Sequence, residues 1–142
     1  MFQLHHQLEK DTVDLGDLSL CKLLLSNDAN YPWFILVPKR EAISEIYQLS
    51  PEDQQLLMKE SCYFSEVLME VFKPDKLNIA AYGNIVNQLH IHHIVRYKDD
   101  AAWPAPIMGV VPRVAYTGEQ ITELQSKLIS KFADESKLEE TN

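Results

Sequence analysis

Three of the chain's five histidines, His90, His92 and His93, lie within four residues of one another. They belong to a run from Asn84 to Arg96 that is rich in strand-forming residues and contains neither Gly nor Pro, which predicts a β-strand. Alternate side chains of a strand point to opposite faces, so His90 and His92 are predicted to stand side by side. Near neutral pH an imidazole can serve as nucleophile, general acid or base, or metal ligand.

The same alternation places Gln88 and Arg96 on the face of His90 and His92, and His93 on the opposite face. Gln88 adds a neutral amide to this face, and Arg96 adds a fixed positive charge. A guanidinium can bind a phosphate through two parallel hydrogen bonds. The face is therefore predicted to bind an anionic, phosphorylated ligand.

The run resembles the signature of the histidine triad family, in which three histidines alternate with apolar residues. Members of this family are nucleotide hydrolases and transferases that form a covalent nucleotidyl-histidine. The chain looks like a variant branch, with Gln88 at the first triad position and His90 and His92 at the second and third. A rival register would place His90, His92 and Ile94 in those three positions.

Two features favour the first register. Arg96 then falls four residues after the last triad residue, as in many members of the family. Asn84, six residues before His90, matches the polar residue that members place ahead of the triad. Further along the chain, Trp103-Pro104 is also similar to the family's sequence.

In this register the resemblance implies a role for each residue. His90 is the nucleophile, and water releases the nucleotide from the covalent intermediate. His92 and Gln88 bond the phosphate oxygens, and Arg96 adds positive charge. Asn84 contacts the phosphate or the leaving group. The scheme requires no metal ion and no other cofactor, and the expected partner is a nucleotide-type small molecule.

The loop at 26–32 and the strand after it also resemble the family. Members carry an Asp or Asn on this loop that bonds the ribose hydroxyls; Asn27 or Asp28 matches, and we favour Asn27, with a plain turn as the alternative. Members often have another histidine where this chain has Trp33. Trp103 is expected to help shape the ligand pocket or, equally, to pack in the core.

Two other functions compete with a nucleotide-phosphate hydrolase or nucleotidyl transferase. A non-catalytic nucleotide-binding module would account for Gln88 and Trp33, which replace histidines of the commoner pattern. A His-based metalloenzyme is the weaker alternative. A His-x-His pair on a strand needs a third metal ligand, and no acidic residue follows His92 before Asp99.

The elements that must position these residues follow from hydrophobic periodicity and capping signals. Apolar runs predict strands, apolar residues at three- and four-residue steps predict helices, and a polar segment with Gly16 predicts a turn. The predicted strands are 18–25, 33–37, 77–82 and 89–96, the helices are 51–72 and about 118–133, and the turn is 11–17.

Strands joined by short links, with one long interior helix and one terminal helix, predict an α+β fold with antiparallel pairing. The family resemblance implies an antiparallel sheet of about five strands with helices packed on it, and a two-fold homodimer. A chain of 142 residues fits one domain, 1–142, whose motif-bearing part is about 18–106.

Composition restricts the partners and the compartment. The net charge of −8 argues against broad binding to nucleic acid or acidic membranes, although a local basic pocket remains compatible with it. Cys21 and Cys62 have no metal or redox spacing and are expected to be reduced thiols. No signal peptide is evident, and no apolar run approaches the ~20 residues of a membrane span, so a cytoplasmic location is expected. The basic pocket could draw on Lys39, Arg40, Arg96, Lys98 and Arg113.

Overall fold

In a computed structural model, which describes residues 1–139 and the side chains of residues 1–132, the chain forms a five-stranded antiparallel sheet with helices packed on it. The predicted α+β fold is confirmed. The helices and strands, in chain order, are α1 (His6–Asp11), β1 (Thr12–Asp17), β2 (Cys21–Ser26), β3 (Trp33–Pro38), α2 (Pro51–Phe72), β4 (Lys76–Ala81), β5 (Ile91–Arg96) and α3 (Gly118–Glu139). The strand order is β1-β2-β3-β5-β4.

The centre of the sheet is β3, a strand in which all six residues are buried. It pairs antiparallel with β2 on one side and with β5 on the other, and Ile35 lies opposite His92. Such a strand is covered on both faces, as its nearly unbroken apolar sequence predicts. On one face a core cluster includes Phe34 and Leu36, and on the other a second cluster includes Trp33 and Ile35.

Helix α2 has the predicted bounds, and its two ends have local causes. The Ser50 hydroxyl accepts the Asp53 backbone N–H and Pro51 occupies the first turn. Lys73 ends the helix in a left-handed conformation with φ 47°. The apolar side of α2, which includes Phe64 and Leu68, packs on the sheet. Within residues 1–139, no helix is both long and apolar enough to span a membrane.

Strand β1 corrects the sequence prediction of a turn at 11–17. Val13 and Leu15 pack partly buried against the core, which draws this polar segment onto the edge of the sheet beside β2. The pairing register shifts between Asp14 and Gly16, and Gly16 adopts φ +114°, a conformation that side chains disfavour. The glycine that suggested a turn therefore accommodates a β-bulge.

The start of β2 is tied to α2 by one buried carboxylate. Glu60 accepts the backbone N–H groups of Leu20 and Cys21 at 2.8 and 2.9 Å. Cys21 is fully buried, and burial, together with the nearby Glu60 charge, raises the pKa of its thiol well above the usual range. Cys62, on the outer side of α2, is exposed.

Candidate active site

His90 and His92 line a cavity of about 560 Å³, which we name the histidine cavity. It lies between α1, the sheet and the loop that precedes β5. Its walls combine apolar side chains with a few polar ones, a composition typical of small-molecule sites. The side chains that line it include Leu8, Ser26, Trp33, Asn84, His90, His92 and Arg113.

His90 is held by the backbone just before β5. Its Nδ1 lies 2.6 Å from the carbonyl oxygen of Gln88. A carbonyl can only accept, so Nδ1 carries the proton and Nε2 keeps its lone pair. Burial lowers the pKa of His90, against the raising effect of the Gln88 carbonyl. The neutral ring therefore offers an unprotonated nitrogen to a ligand.

His92 has the opposite tautomer. The indole N–H of Trp33 donates to Nδ1 of His92 at 2.9 Å. An indole can only donate, so Nδ1 is the acceptor and the proton of the neutral ring resides on Nε2. Burial, with smaller contributions from His90 and His93, lowers the pKa of His92 to about 4. At neutral pH this ring is an uncharged hydrogen-bond donor.

The two rings lie close together, with centroids 5.0 Å apart and planes at 74°. His90 thus presents a lone pair, and His92 presents an N–H, at one cavity. No protein partner for either Nε2 occurs in the part of the chain with described side chains. An electrophile near His90 could have one of its oxygens bonded by His92.

Arg113 supplies positive charge to this cavity. Its guanidinium lies over the Trp33 ring, 5.1 Å from the centroid, and Nη1 donates to the hydroxyl of Ser26 at 3.0 Å. A guanidinium stacked on an indole is oriented while its remaining N–H groups stay available. The sequence identified Arg113 only as one of several basic residues, because the strand that carries the histidines does not contain it.

The prediction that Arg96 contacts the phosphate is corrected by its surroundings. Arg96 is 1% exposed, and its guanidinium binds both oxygens of Asp100, the Asn78 side chain and the carbonyl of Ala105. It shares a strand face with His92, but four residues along a strand cover about 13 Å. Arg96 therefore organises the turn after β5 and does not line the histidine cavity.

Trp103 belongs to that same buried arrangement. The Arg96 guanidinium lies over its ring at 5.4 Å from the centroid, and its backbone N–H donates to Asp100. The peptide bond between Trp103 and Pro104 is cis. Trp103 is half-buried beside Arg96, belongs to neither core cluster and does not line the histidine cavity.

Asn27 likewise does not line the histidine cavity, and its contact with a ribose stays a prediction. Its side-chain oxygen accepts the backbone N–H of Tyr116 at 2.9 Å. The neighbouring Asp28 is buried and accepts the N–H of Val114. The loop thus holds the C-terminal segment that carries Arg113, and Ser26, the last residue of β2, reaches the cavity.

Gln88 and Asn84 have different outcomes. The Gln88 side chain bonds the backbone of Gln3 and His5, and it lies at a polar cavity of about 320 Å³ next to the histidine cavity. Its contact with a phosphate oxygen stays a prediction. Asn84 is exposed and lines the histidine cavity, as a ligand contact requires. Trp33, which the sequence marked only as a departure from the family, fixes the tautomer of His92.

Among the residues whose positions the structure describes, no three or more His, Cys, Asp or Glu side chains are arranged to hold a metal ion.

Comparison with known proteins identifies the family. A model of the HIT domain matches residues 7–99. The chain belongs to the histidine triad family. Its members bind nucleotides and include hydrolases and transferases, so a nucleotide-related function of this general kind follows for the chain. No curated protein matches the chain closely enough to add a specific activity.

Solved structures agree with this assignment. A histidine triad protein from Marinobacter aquaeolei VT8 is 54% identical, with a TM-score of 0.88 over 90% of this chain and 93% of that one. A histidine triad protein from Bradyrhizobium japonicum is 47% identical, with a TM-score of 0.90 over 92% and 97%. A third, from Sinorhizobium meliloti 1021, is 37% identical, with a TM-score of 0.89 over 91% and 96%.

Proposed function

We propose that this protein is a nucleotide-phosphate hydrolase or nucleotidyl transferase that forms a covalent nucleotidyl-histidine on His90. The observation that carries the proposal is the pair of opposite tautomers at one cavity. His90 offers an unprotonated Nε2, and His92 offers a protonated one, 5.0 Å away between ring centroids. Nucleophilic transfer to an imidazole needs one nitrogen of each kind.

In the first step, Nε2 of His90 attacks the α-phosphorus of a nucleoside monophosphate joined to a leaving group. The new N–P bond forms as the bond to the leaving group breaks, and the leaving group departs with that electron pair. The imidazole becomes positively charged, and the Gln88 carbonyl at 2.6 Å from Nδ1 stabilises this charge. The N–H of His92 bonds a phosphate oxygen, where charge develops during transfer.

In the second step, water attacks the same phosphorus and the N–P bond breaks. His90 recovers its lone pair, and the water's proton is lost to solvent or to the departing phosphate. A nucleoside acceptor or phosphate in place of water would give transfer instead of hydrolysis. The protein's part in both steps is to hold the two rings and the phosphate in line.

Arg113, Ser26 and Asn84 complete the proposed ligand contacts. Arg113 takes the role first assigned to Arg96, because its guanidinium lines the cavity beside Trp33. Ser26 takes the place of Asn27 near the sugar, since its hydroxyl lies beside Arg113. Asn84 also borders a second, polar cavity of about 320 Å³ that shares His90. This placement suits a residue between the phosphate and the leaving group.

The test is intact-mass measurement after incubation with an adenylated substrate and quenching in mild base. Wild type, His90→Ala and His92→Ala are compared, with the exposed His6→Ala as the matched control. We expect an added nucleotide monophosphate in wild type, His92→Ala and His6→Ala, and none in His90→Ala. Near-normal turnover by His90→Ala would overturn the proposal.

The same experiment distinguishes the alternatives. Loss of the adduct only in His92→Ala would mean that the triad begins at His90 and that His92 is the nucleophile. Tight binding of nucleotide without an adduct or turnover on any substrate class would favour a non-catalytic binding module, which the engagement of Gln88 with the protein's own backbone would then explain.

We also propose a homodimer, as the family resemblance implies. Strand β4 is an edge strand, and Ile79 on it is 51% exposed, while Ile85 in the following loop is 93% exposed. Exposed apolar side chains beside an open strand edge favour pairing with another copy. Light scattering after size exclusion should give twice the chain mass of 16.4 kDa, and a monomer at every concentration would contradict this.

A further inference from the structure

The side chain of Gln88 forms two hydrogen bonds with the backbone of the first residues of the chain. Its Oε1 accepts the N–H of His5 at 2.8 Å, and its Nε2 donates to the carbonyl of Gln3 at 2.8 Å. In an extended segment these two groups, one on each side of Leu4, point the same way. The carboxamide of Gln88 therefore pairs with the segment as the peptide group of a neighbouring strand would.

The same residue also contacts the nucleophile. The backbone carbonyl of Gln88 accepts from Nδ1 of His90 at 2.6 Å. The side chain of Gln88 thus binds the first segment of the chain, and its backbone carbonyl binds the imidazole of His90. Because Gln88 is only two residues before His90, a single residue links the first segment of the chain to this imidazole.

The segment held by Gln88 forms one wall of the histidine cavity. We call residues 2–11 the N-terminal arm. Leu8 of the arm is 6% exposed, lines the cavity and packs in the cluster that contains Trp33, with Phe2 and Leu4 against it. A separate cleft of about 700 Å³, bordered by Leu4 and His5, lies beside the arm. The arm is thus not enclosed between two packed layers.

We propose that Gln88 is a positioning residue that fixes the N-terminal arm as the specificity-determining wall of the nucleotide site. The inference rests on the proposed function in taking the histidine cavity as the place of the nucleotide. These two hydrogen bonds need a donor and an acceptor attached to the same carbon of one side chain. An amide has both, whereas a carboxylate has two acceptors and a methyl group has neither, which gives two informative substitutions.

The test compares Gln88→Ala and Gln88→Glu with wild type. Gln88→Glu keeps an acceptor for His5 and loses the donor for Gln3, so both variants should loosen the arm. Gln55→Ala, an exposed glutamine on α2, is the matched control. Hydrogen exchange of the arm's amides and the affinity for adenosine monophosphate, by calorimetry, are measured for each protein, with kcat and KM on an adenylated substrate.

We expect the His5 amide to exchange at least about tenfold faster in both Gln88 variants, because its acceptor is lost or destabilised. Affinity for adenosine monophosphate should fall about tenfold and KM should rise with it, while kcat changes less than about threefold. Loss of a residue that merely supports the fold would not raise KM while leaving kcat nearly unchanged. Gln55→Ala should match wild type throughout.

Unchanged exchange of the arm in Gln88→Ala would overturn the inference, as would faster exchange with unchanged nucleotide affinity. A fall in kcat alone would also overturn it, because Gln88 would then act on the chemistry. These outcomes are distinct from failure of the proposed function. Wild type that binds adenosine monophosphate but forms no adduct would refute the chemistry and leave the arm's role testable, whereas no nucleotide binding at all would refute both.

Discussion

His92 and His93 are adjacent in the chain, but they point to opposite faces of β5 and have different surroundings. Burial lowers the pKa of each to about 4. His93 is completely buried, and both of its nitrogens lie near protein groups, Nδ1 at 3.2 Å from the Ile91 carbonyl and Nε2 at 2.7 Å from the Ser61 hydroxyl. His92 has a protein partner at Nδ1 and a cavity at its other side.

The difference shows that neither burial nor a lowered pKa distinguishes His92 from His93. What distinguishes His92 is that its Nε2 faces a cavity that a ligand can enter. His90, beside it, also has an Nε2 without a described protein partner. His93 instead connects β5 to α2 through Ser61, and Phe64 packs edge-on against its ring. One strand thus carries a chemical face and a structural face, and substitutions can separate them.

The largest effect is expected for His92→Ala on activity. Loss of a donor that stabilises charge in the transition state should lower kcat/KM by about 10²–10³. Steady-state kinetics on an adenylated substrate measure this, and His93→Gln is the comparison on the opposite face. Equal losses in the two variants would mean that the two faces of β5 do not differ in function.

Next in size is the effect of His93→Ala on stability. The change leaves a cavity and deprives the Ser61 hydroxyl of its partner, so unfolding should become easier by about 3–4 kcal/mol. Denaturant unfolding measures the difference. Activity per folded molecule should stay within about threefold of wild type, and a double cycle with Ser61→Ala should reveal coupling between the two residues.

The pH dependence of stability gives a third test. The unfolded chain binds a proton at His93 below about pH 6.5, whereas the native state resists protonation down to about pH 4. The stabilisation from the neutral ring is therefore complete above pH 6.5 and is lost as the pH falls toward 4. The loss is on the order of 3 kcal/mol.

Carboxylates also titrate in this window, so the relevant quantity is the difference between wild type and His93→Gln. The free energy of unfolding of the variant should fall less between pH 6.5 and pH 4. Parallel curves for the two proteins would contradict the assignment of a neutral, buried His93.

The smallest effect is expected for Trp33→Phe. The phenyl ring keeps most of the packing but cannot donate to Nδ1 of His92, so the tautomer of His92 is no longer fixed. We expect kcat to fall about tenfold and stability to fall by about 1 kcal/mol. NMR of the imidazole nitrogens should show a mixture of His92 tautomers, and an unchanged single tautomer would contradict this role of Trp33.

Local signals in the sequence predicted the parts of the fold that have local causes. Ser50 and Pro51 gave the start of α2, and alternation along 89–96 placed His92 and His93 on opposite faces. The predicted turn at 11–17 was wrong because a partly buried Val13 and Leu15 outweigh the polar residues around them. Packing against β2 is not visible in a short polar segment.

The site residues divide in the same way. His90, His92 and Asn84 were placed at the cavity by their own run of sequence. The partners of the Gln88 side chain could not be predicted, because the backbone groups that it bonds lie 83 and 85 residues earlier in the chain. The partner of Asn27 is 89 residues later. Hydrogen bonds over such separations leave no periodic pattern in a sequence.

Distance along a strand explains the remaining error. Arg96 shares a face with His92, but a shared face does not mean a shared site when the residues are about 13 Å apart. Arg113 lies far from the histidines in sequence and lines their cavity, because Asp28 bonds the neighbouring Val114 and so holds this segment. Only the folded structure shows that Arg113, and not Arg96, lines the histidine cavity.

The buried thiol of Cys21, at the start of β2, can be used to measure local opening of the fold. Cys62 is exposed and should react with an alkylating reagent at once, whereas Cys21 is hidden beneath Glu60 and its thiolate is disfavoured. The second alkylation therefore waits for β2 to separate from α2. The rate of this second alkylation, followed by mass, would measure how often β2 opens in unlabelled, native protein.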